Sequence, residues 1–108
     1  MHIARPPGGF KIVVRPEVEA YIASEAKINF RIEQFWKDIL DRIKITALQE
    51  SHSLPSAGAP KFSFTANGAI DFGIPTIQII FECFSDTLTI LNALVWTEDD
   101  YEDSTYDG

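Results

Sequence analysis

A chain of 108 residues with 45% hydrophobic and 23% charged side chains has the size and balance of one globular unit and is too short for two ordinary domains. Its net charge of −7 gathers in residues 98–108, where Glu98, Asp99, Asp100, Glu102, Asp103 and Asp107 stand without a Lys or Arg, leaving ten of the sixteen acids against nine bases elsewhere. That near balance lacks the basic excess of a nucleic-acid binder, the single Cys83 leaves no intrachain disulfide, and no apolar run reaches the ~18 residues of a membrane span.

Residues 1–9, with Arg5-Pro6-Pro7-Gly8-Gly9, read as an irregular lead-in. The β-branched and aromatic run Phe10–Arg15 predicts a strand, which Pro16 stops. Pro16 also suits the first turn of a helix, and Glu17 and Glu19 fall where the helix dipole favours acids. A short helix follows to about Ala26, with Val18, Ile22 and Ala26 as its buried edge. Asn29 is placed to cap the next helix, expected over 30–49. There Ile32, Phe35, Trp36, Ile39, Leu40, Ile43, Ala47 and Leu48 repeat at threes and fours, the stripe of a helix that faces a core. Glu33–Lys37 and Asp38–Arg42 have the i,i+4 spacing of ion pairs on the opposite face.

Glu50–Pro60 holds Ser51, Ser53, Pro55, Ser56, Gly58 and Pro60, the composition of a loop. The period then changes to two. Phe62 and Phe64 alternate with polar residues, Asn67-Gly68 is a two-residue hairpin signal, and Ile70, Phe72 and Ile74 continue the alternation as a return strand that Pro75 interrupts. Thr76–Phe84 predicts a strand with Ile77, Ile79, Phe81 and Cys83 on one face and Ile80 on the other. Ser85-Asp86-Thr87 makes a turn. Leu88–Trp96 predicts the last strand, with Ile90, Leu94 and Trp96 on one face and Leu91 and Val95 on the other. A strand, two helices and then an antiparallel meander of three to four strands make an α+β domain over 10–97. The segment 98–108 is an acidic tail whose carboxylates repel one another and favour disorder.

That order resembles the RelE/ParE toxin superfamily of toxin–antitoxin systems. The stretch Gly68-Ala69-Ile70-Asp71-Phe72-Gly73 is similar to the strand that opens the family's meander. Thr76–Phe81 is similar to the next strand and Leu88–Leu94 to the last. Two family positions are altered: Gly73 stands where the first strand arginine is expected, and Gln78 where the second is expected. The resemblance implies one of two activities. RelE-type members cleave mRNA on the ribosome with Lys and Arg side chains. ParE-type members bind a protein target without a catalytic constellation. Cationic clamps stabilise developing phosphoryl charge, so the altered positions turn the expectation toward an antitoxin-like or other protein partner and away from a nuclease.

Lys61, Arg15 and Lys11, or the long helix's cations Arg31, Arg42 and Lys44, are what a surviving mRNA endoribonuclease would have to use. Each of the first three also reads as a solvated strand residue, and charge on an edge strand deters unwanted pairing. Ser51-His52-Ser53 is no triad by adjacency, because a catalytic pair is defined in space. His2 and His52 have no ligand spacing for a metal, and no Gly-rich phosphate loop follows a strand. No cofactor is expected. A third class, an unrelated module that self-associates, follows from Ile80, Phe84, Leu91 and Val95, which need cover. No basic start with an apolar run marks a signal peptide, so the cytoplasm is the expected compartment. Tyr101 and Tyr106 would let the acidic tail lie against Lys11, Arg15 and Lys61 as an internal phosphate mimic.

Overall fold

A computed structural model describes residues 7–96. The acidic segment 98–108, and with it the expected contact of Tyr101 and Tyr106 with the Lys11, Arg15 and Lys61 side, lies outside them. The fold is α+β. Strand β1 (Lys11–Val14) leads to helices α1 (Pro16–Ile28) and α2 (Arg31–Glu50). Strands β2 (His52–Leu54), β3 (Lys61–Ala66), β4 (Ile77–Phe84) and β5 (Thr87–Val95) follow. The sheet order is β1-β5-β4-β3-β2. Strands β2 to β5 pair antiparallel as a meander. Strand β1 lies parallel to β5, Lys11 opposite Thr87 and Val14 opposite Ile90, so the sheet is mixed.

The helices cover one face of this sheet. Pro16 occupies the first turn of α1, where no N–H is missed, and Val18 and Ile22 are buried. On α2 the expected stripe is the buried one: Ile32, Trp36, Ile39, Ile43 and Ala47. It meets Phe64, Ile77, Ile79, Phe81, Leu88 and Ile90, all nearly or wholly removed from water. Each such side chain contributes roughly 1.5–3 kcal/mol of burial. The Phe62 and Phe81 rings stack at 5.4 Å within this layer. Tyr21 of α1 closes one end, its hydroxyl oxygen accepting the Val95 N–H at 2.9 Å.

Four expectations are corrected. First, the loop over 50–60 contains β2, because Ser53 can pair opposite Phe62 although its flanks are turn residues. Second, no hairpin forms at Asn67-Gly68 and no strand over 69–74. Ile70–Phe72 is instead a 3-10 turn closed by Gly73 at φ 75°, with a single bridge between Ala69 and Ile74. Pro75 has no N–H to continue a ladder, and the strand pairing resumes only from Ala66 opposite Ile77. Gly68 serves close approach: a Cβ there would fall 2.1 Å from the Ile74 carbonyl oxygen. Third, the two faces of β5 are not those of a regular strand. The register slips between Ile80 and Phe81, which pair with Asn92 and Ile90 and leave Leu91 as an extra residue. Such a bulge inverts the alternation beyond it, so Val95 joins Leu88 and Ile90 in the core at 4% exposure while Leu94 faces out at 49%. Fourth, Arg42 does not pair with Asp38. It reaches down α2 to Glu50, Nε at 2.9 Å from one carboxylate oxygen, and Asp38 accepts from Gln34 instead.

Candidate binding surface

Lys11, Arg15 and Lys61, singled out in the sequence, stand at the two ends of β1 and at the start of β3. Lys61, at the start of β3, stands opposite Glu82 of β4 and pairs with it at 3.9 Å. Its ammonium also donates to the Ser56 hydroxyl at 3.4 Å. Arg15 lies at the far end of β1 and pairs with Glu17 at 3.9 Å. Lys11 begins β1 and lines a groove in which Asp41 and Asp86 balance the charges of Lys11 and Lys44. Strands β1 and β3 are three strand spacings apart, about 14 Å, so the fold does not bring these cations onto one point. Exposed pairs of this kind contribute at most ~1 kcal/mol each.

The two altered family positions separate as well. Gln78 is on the outward face of β4, and its amide donates to the Ser63 hydroxyl at 3.1 Å. Gly73 is not in a strand. It is the left-handed residue that ends the 3-10 turn, 3.5 Å from the Arg31 guanidinium at the position a Cβ would take. His52 stands opposite Ser63 on the edge of the sheet. Among the described residues no three His, Cys, Asp or Glu side chains converge as metal ligands. None of the described helices is long and apolar enough to cross a membrane. Cys83 is buried, and loss of water pushes its thiol pKa up, away from the reactive thiolate.

A different surface stands out at the end of the fold where α1 turns into α2. Asn29 organises it. Its side-chain oxygen accepts the Arg31 N–H at 3.1 Å, capping α2, and its amide donates to the Gly73 carbonyl at 2.8 Å. The helix–helix turn and the 3-10 turn are thus tied together. Ile28 and Phe30 flank this tie on one side and Ile70 and Phe72 on the other. Ile28 is 82% exposed, Phe30 and Phe72 are each 74% and Ile70 is 45%. Large apolar side chains scattered singly need no explanation, whereas four on two adjoined turns form a patch. Beside them opens a groove of about 450 Å³ lined by Ile28, Phe30, Ile70, Pro75, Val95 and Trp96. Arg31 stands in it with its guanidinium 4.6 Å from the Phe30 ring centroid, a cation–π distance. None of the ion pairs among the described residues includes Arg31.

Sequence reasoning missed this surface because Ile70 and Phe72 matched a strand period and were assigned to a sheet. The signal that could have found it is Phe30, which lies off the α2 stripe and directly after a capping Asn. A scan against protein-family models finds no match, and searches of curated proteins and of solved structures find no similar chain.

Proposed function

We propose that this chain is a RelE/ParE-like domain that acts by binding another protein and carries no nuclease chemistry. The element order supports the family reading: a first strand, two helices, then an antiparallel meander beside that strand. The observation that carries the binding reading is the patch of Ile28, Phe30, Ile70 and Phe72 around an apolar groove with one guanidinium in it. Exposed aromatics beside an Arg are the residue types that dominate binding energies at protein interfaces. The matching partner is antitoxin-like in chemistry. It is a segment with apolar side chains to fill the groove and a carboxylate to meet Arg31.

The cations weigh against the nuclease alternative. Lys11 and Arg15 stand at opposite ends of β1 and Lys61 on β3, each beside carboxylates, whereas a phosphoryl clamp needs donors aimed at one developing charge. The test compares capture of a defined partner from the native host by the natural chain and by Phe30→Ser/Phe72→Ser. Both substitutions fall on exposed positions, so the folded state persists while binding falls by at least ~10-fold, given that a buried aromatic anchor is worth about 2 kcal/mol or more. Equal capture by both chains overturns the assignment.

A further inference from the structure

The end groove lies beside the point where the described chain ends. Trp96 forms part of the groove wall, and its backbone N–H donates to the Thr76 carbonyl at 2.9 Å, which holds the exit of β5 beside the 3-10 turn. The chain continues from there into residues 97–108, which carry Tyr101, Tyr106 and six carboxylates with no base. We infer that residues 97–108 dock in the groove beside their own exit, with tyrosine rings on the Phe30–Phe72 patch and a carboxylate on Arg31.

Three features favour this occupant. The first is chemistry. The groove is apolar with a guanidinium that no described carboxylate meets, and the segment offers aromatic rings spaced among acids. Glu25 also lines the groove, which directs the acids toward the Arg31 side. The second is reach. Tyr101 lies five residues beyond Trp96, about 17 Å of extended chain, and Tyr106 lies ten beyond, about 34 Å. The third is tethering. A short linker gives an effective concentration on the order of 1 mM, so an intrinsic dissociation constant near ~1 mM already holds the segment in place half the time. The other basic residues are poorer hosts. Lys11 and Lys61 lie toward the opposite end of the sheet from Trp96, since Lys11 pairs with Thr87 at the start of β5 and Lys61 with Glu82. Lys61 has its carboxylate partner there already.

A docked segment would compete with any protein that uses the same surface. The inference rests on the reading of this end as a docking surface, but its test is separate from partner capture. A nitroxide is attached to the full chain at Gly108→Cys; the native thiol, Cys83, is buried and does not compete for the label. Amide line broadening is then read residue by residue. The expected result is broadening focused on Ile28, Phe30, Arg31 and Phe72. It should be lost when Tyr101→Ser and Tyr106→Ser are added, and it should weaken at ~1 M salt, where the Debye length is about 3 Å. Broadening centred on Lys11 and Lys61, or spread without a focus, overturns the inference. So does broadening of an unlabelled, isotope-enriched chain by a labelled one, which would make a second copy the occupant. If the label finds no focus while Phe30→Ser/Phe72→Ser still loses its partner, the tail is excluded and the binding reading stands.

Discussion

Ile39 sits at the middle of α2 between Trp36 and Ile43 and is 2% exposed. Ile39→Ala removes buried methyl and methylene groups that the sheet cannot follow inward. The loss is about 2–5 kcal/mol, transfer and cavity together. A small domain has roughly 5–15 kcal/mol in total, so the variant remains folded but weakened. In urea, with a slope of about 1–3 kcal/mol per molar, a loss of ~3 kcal/mol lowers the midpoint by ~1–3 M. Ile39→Asp adds a carboxylate with no partner in a wholly apolar layer, where an uncompensated ion costs several kcal/mol more. The sum approaches the whole stability, and the chain should be unfolded at room temperature by circular dichroism. Ile28→Ala on the exposed end of α1 provides the control and should shift stability by no more than about 0.5 kcal/mol. An unchanged midpoint for Ile39→Ala, or a native melt for Ile39→Asp, would mean that α2 lies on the sheet by another face.

Other expectations follow from single contacts. The Arg42 guanidinium and the Thr46 hydroxyl hold the Glu50 carboxyl down from its ordinary 4.5 to about 2, and the same ion pair raises Arg42. A depressed carboxyl stabilises fully above its unfolded value and loses that effect as pH falls through the folded one. The urea midpoint of the natural chain should therefore exceed that of Glu50→Gln above pH 4.5 and converge with it as pH falls toward 2; a gap that widens on acidification contradicts this. Gly68→Ala would drive a Cβ to 2.1 Å from the Ile74 carbonyl oxygen and 2.3 Å from that of Pro75. Relief requires backbone movement and should cost about 1–3 kcal/mol in thermal unfolding, whereas an unchanged melt would mean the 67–76 connection is not held as described. The bulge at Leu91 sets Val95 inward and Leu94 outward. Val95→Ala should cost about 2 kcal/mol and Leu94→Ala well under half of that; the reverse order would restore a regular strand.

The parts of the fold written in long periodic patterns were legible. The α2 stripe from Ile32 to Ala47 and the Ile77–Cys83 alternation name their buried faces directly, because several residues at the element's own period must agree before a face is dry. What failed depended on one residue acting against its neighbours. The extra Leu91 in β5 leaves no mark in composition, yet it reverses every side chain after it. Ile70, Phe72 and Ile74 have a strand's spacing, but Gly73 in the left-handed region and Pro75 without an N–H convert it into a turn. The parallel pairing of β1 with β5 is long-range and has no local signal at all. The candidate surface was hidden for the same reason, since its aromatics were assigned to a sheet that the turn chemistry forbids. Lys11 and Lys61 lie in strands as expected, while Arg15 falls just past β1 as the residue that opens α1; the separation of these cations and their carboxylate neighbours follow from strand order, which only the fold supplies.

If the end surface formed by Ile28, Phe30, Ile70 and Phe72 is where another protein binds, that partner lies within reach of position 30. A photoreactive amino acid placed at position 30, with Phe72 intact, tests this most directly in cells of the native host. The expected result is one dominant crosslinked protein partner, lost when Phe72→Ser or Arg31→Glu is added, while the same probe at exposed Phe84 on the open sheet face yields none of it. Equal crosslinking from positions 30 and 84, or a product unchanged by Phe72→Ser and Arg31→Glu, would contradict it.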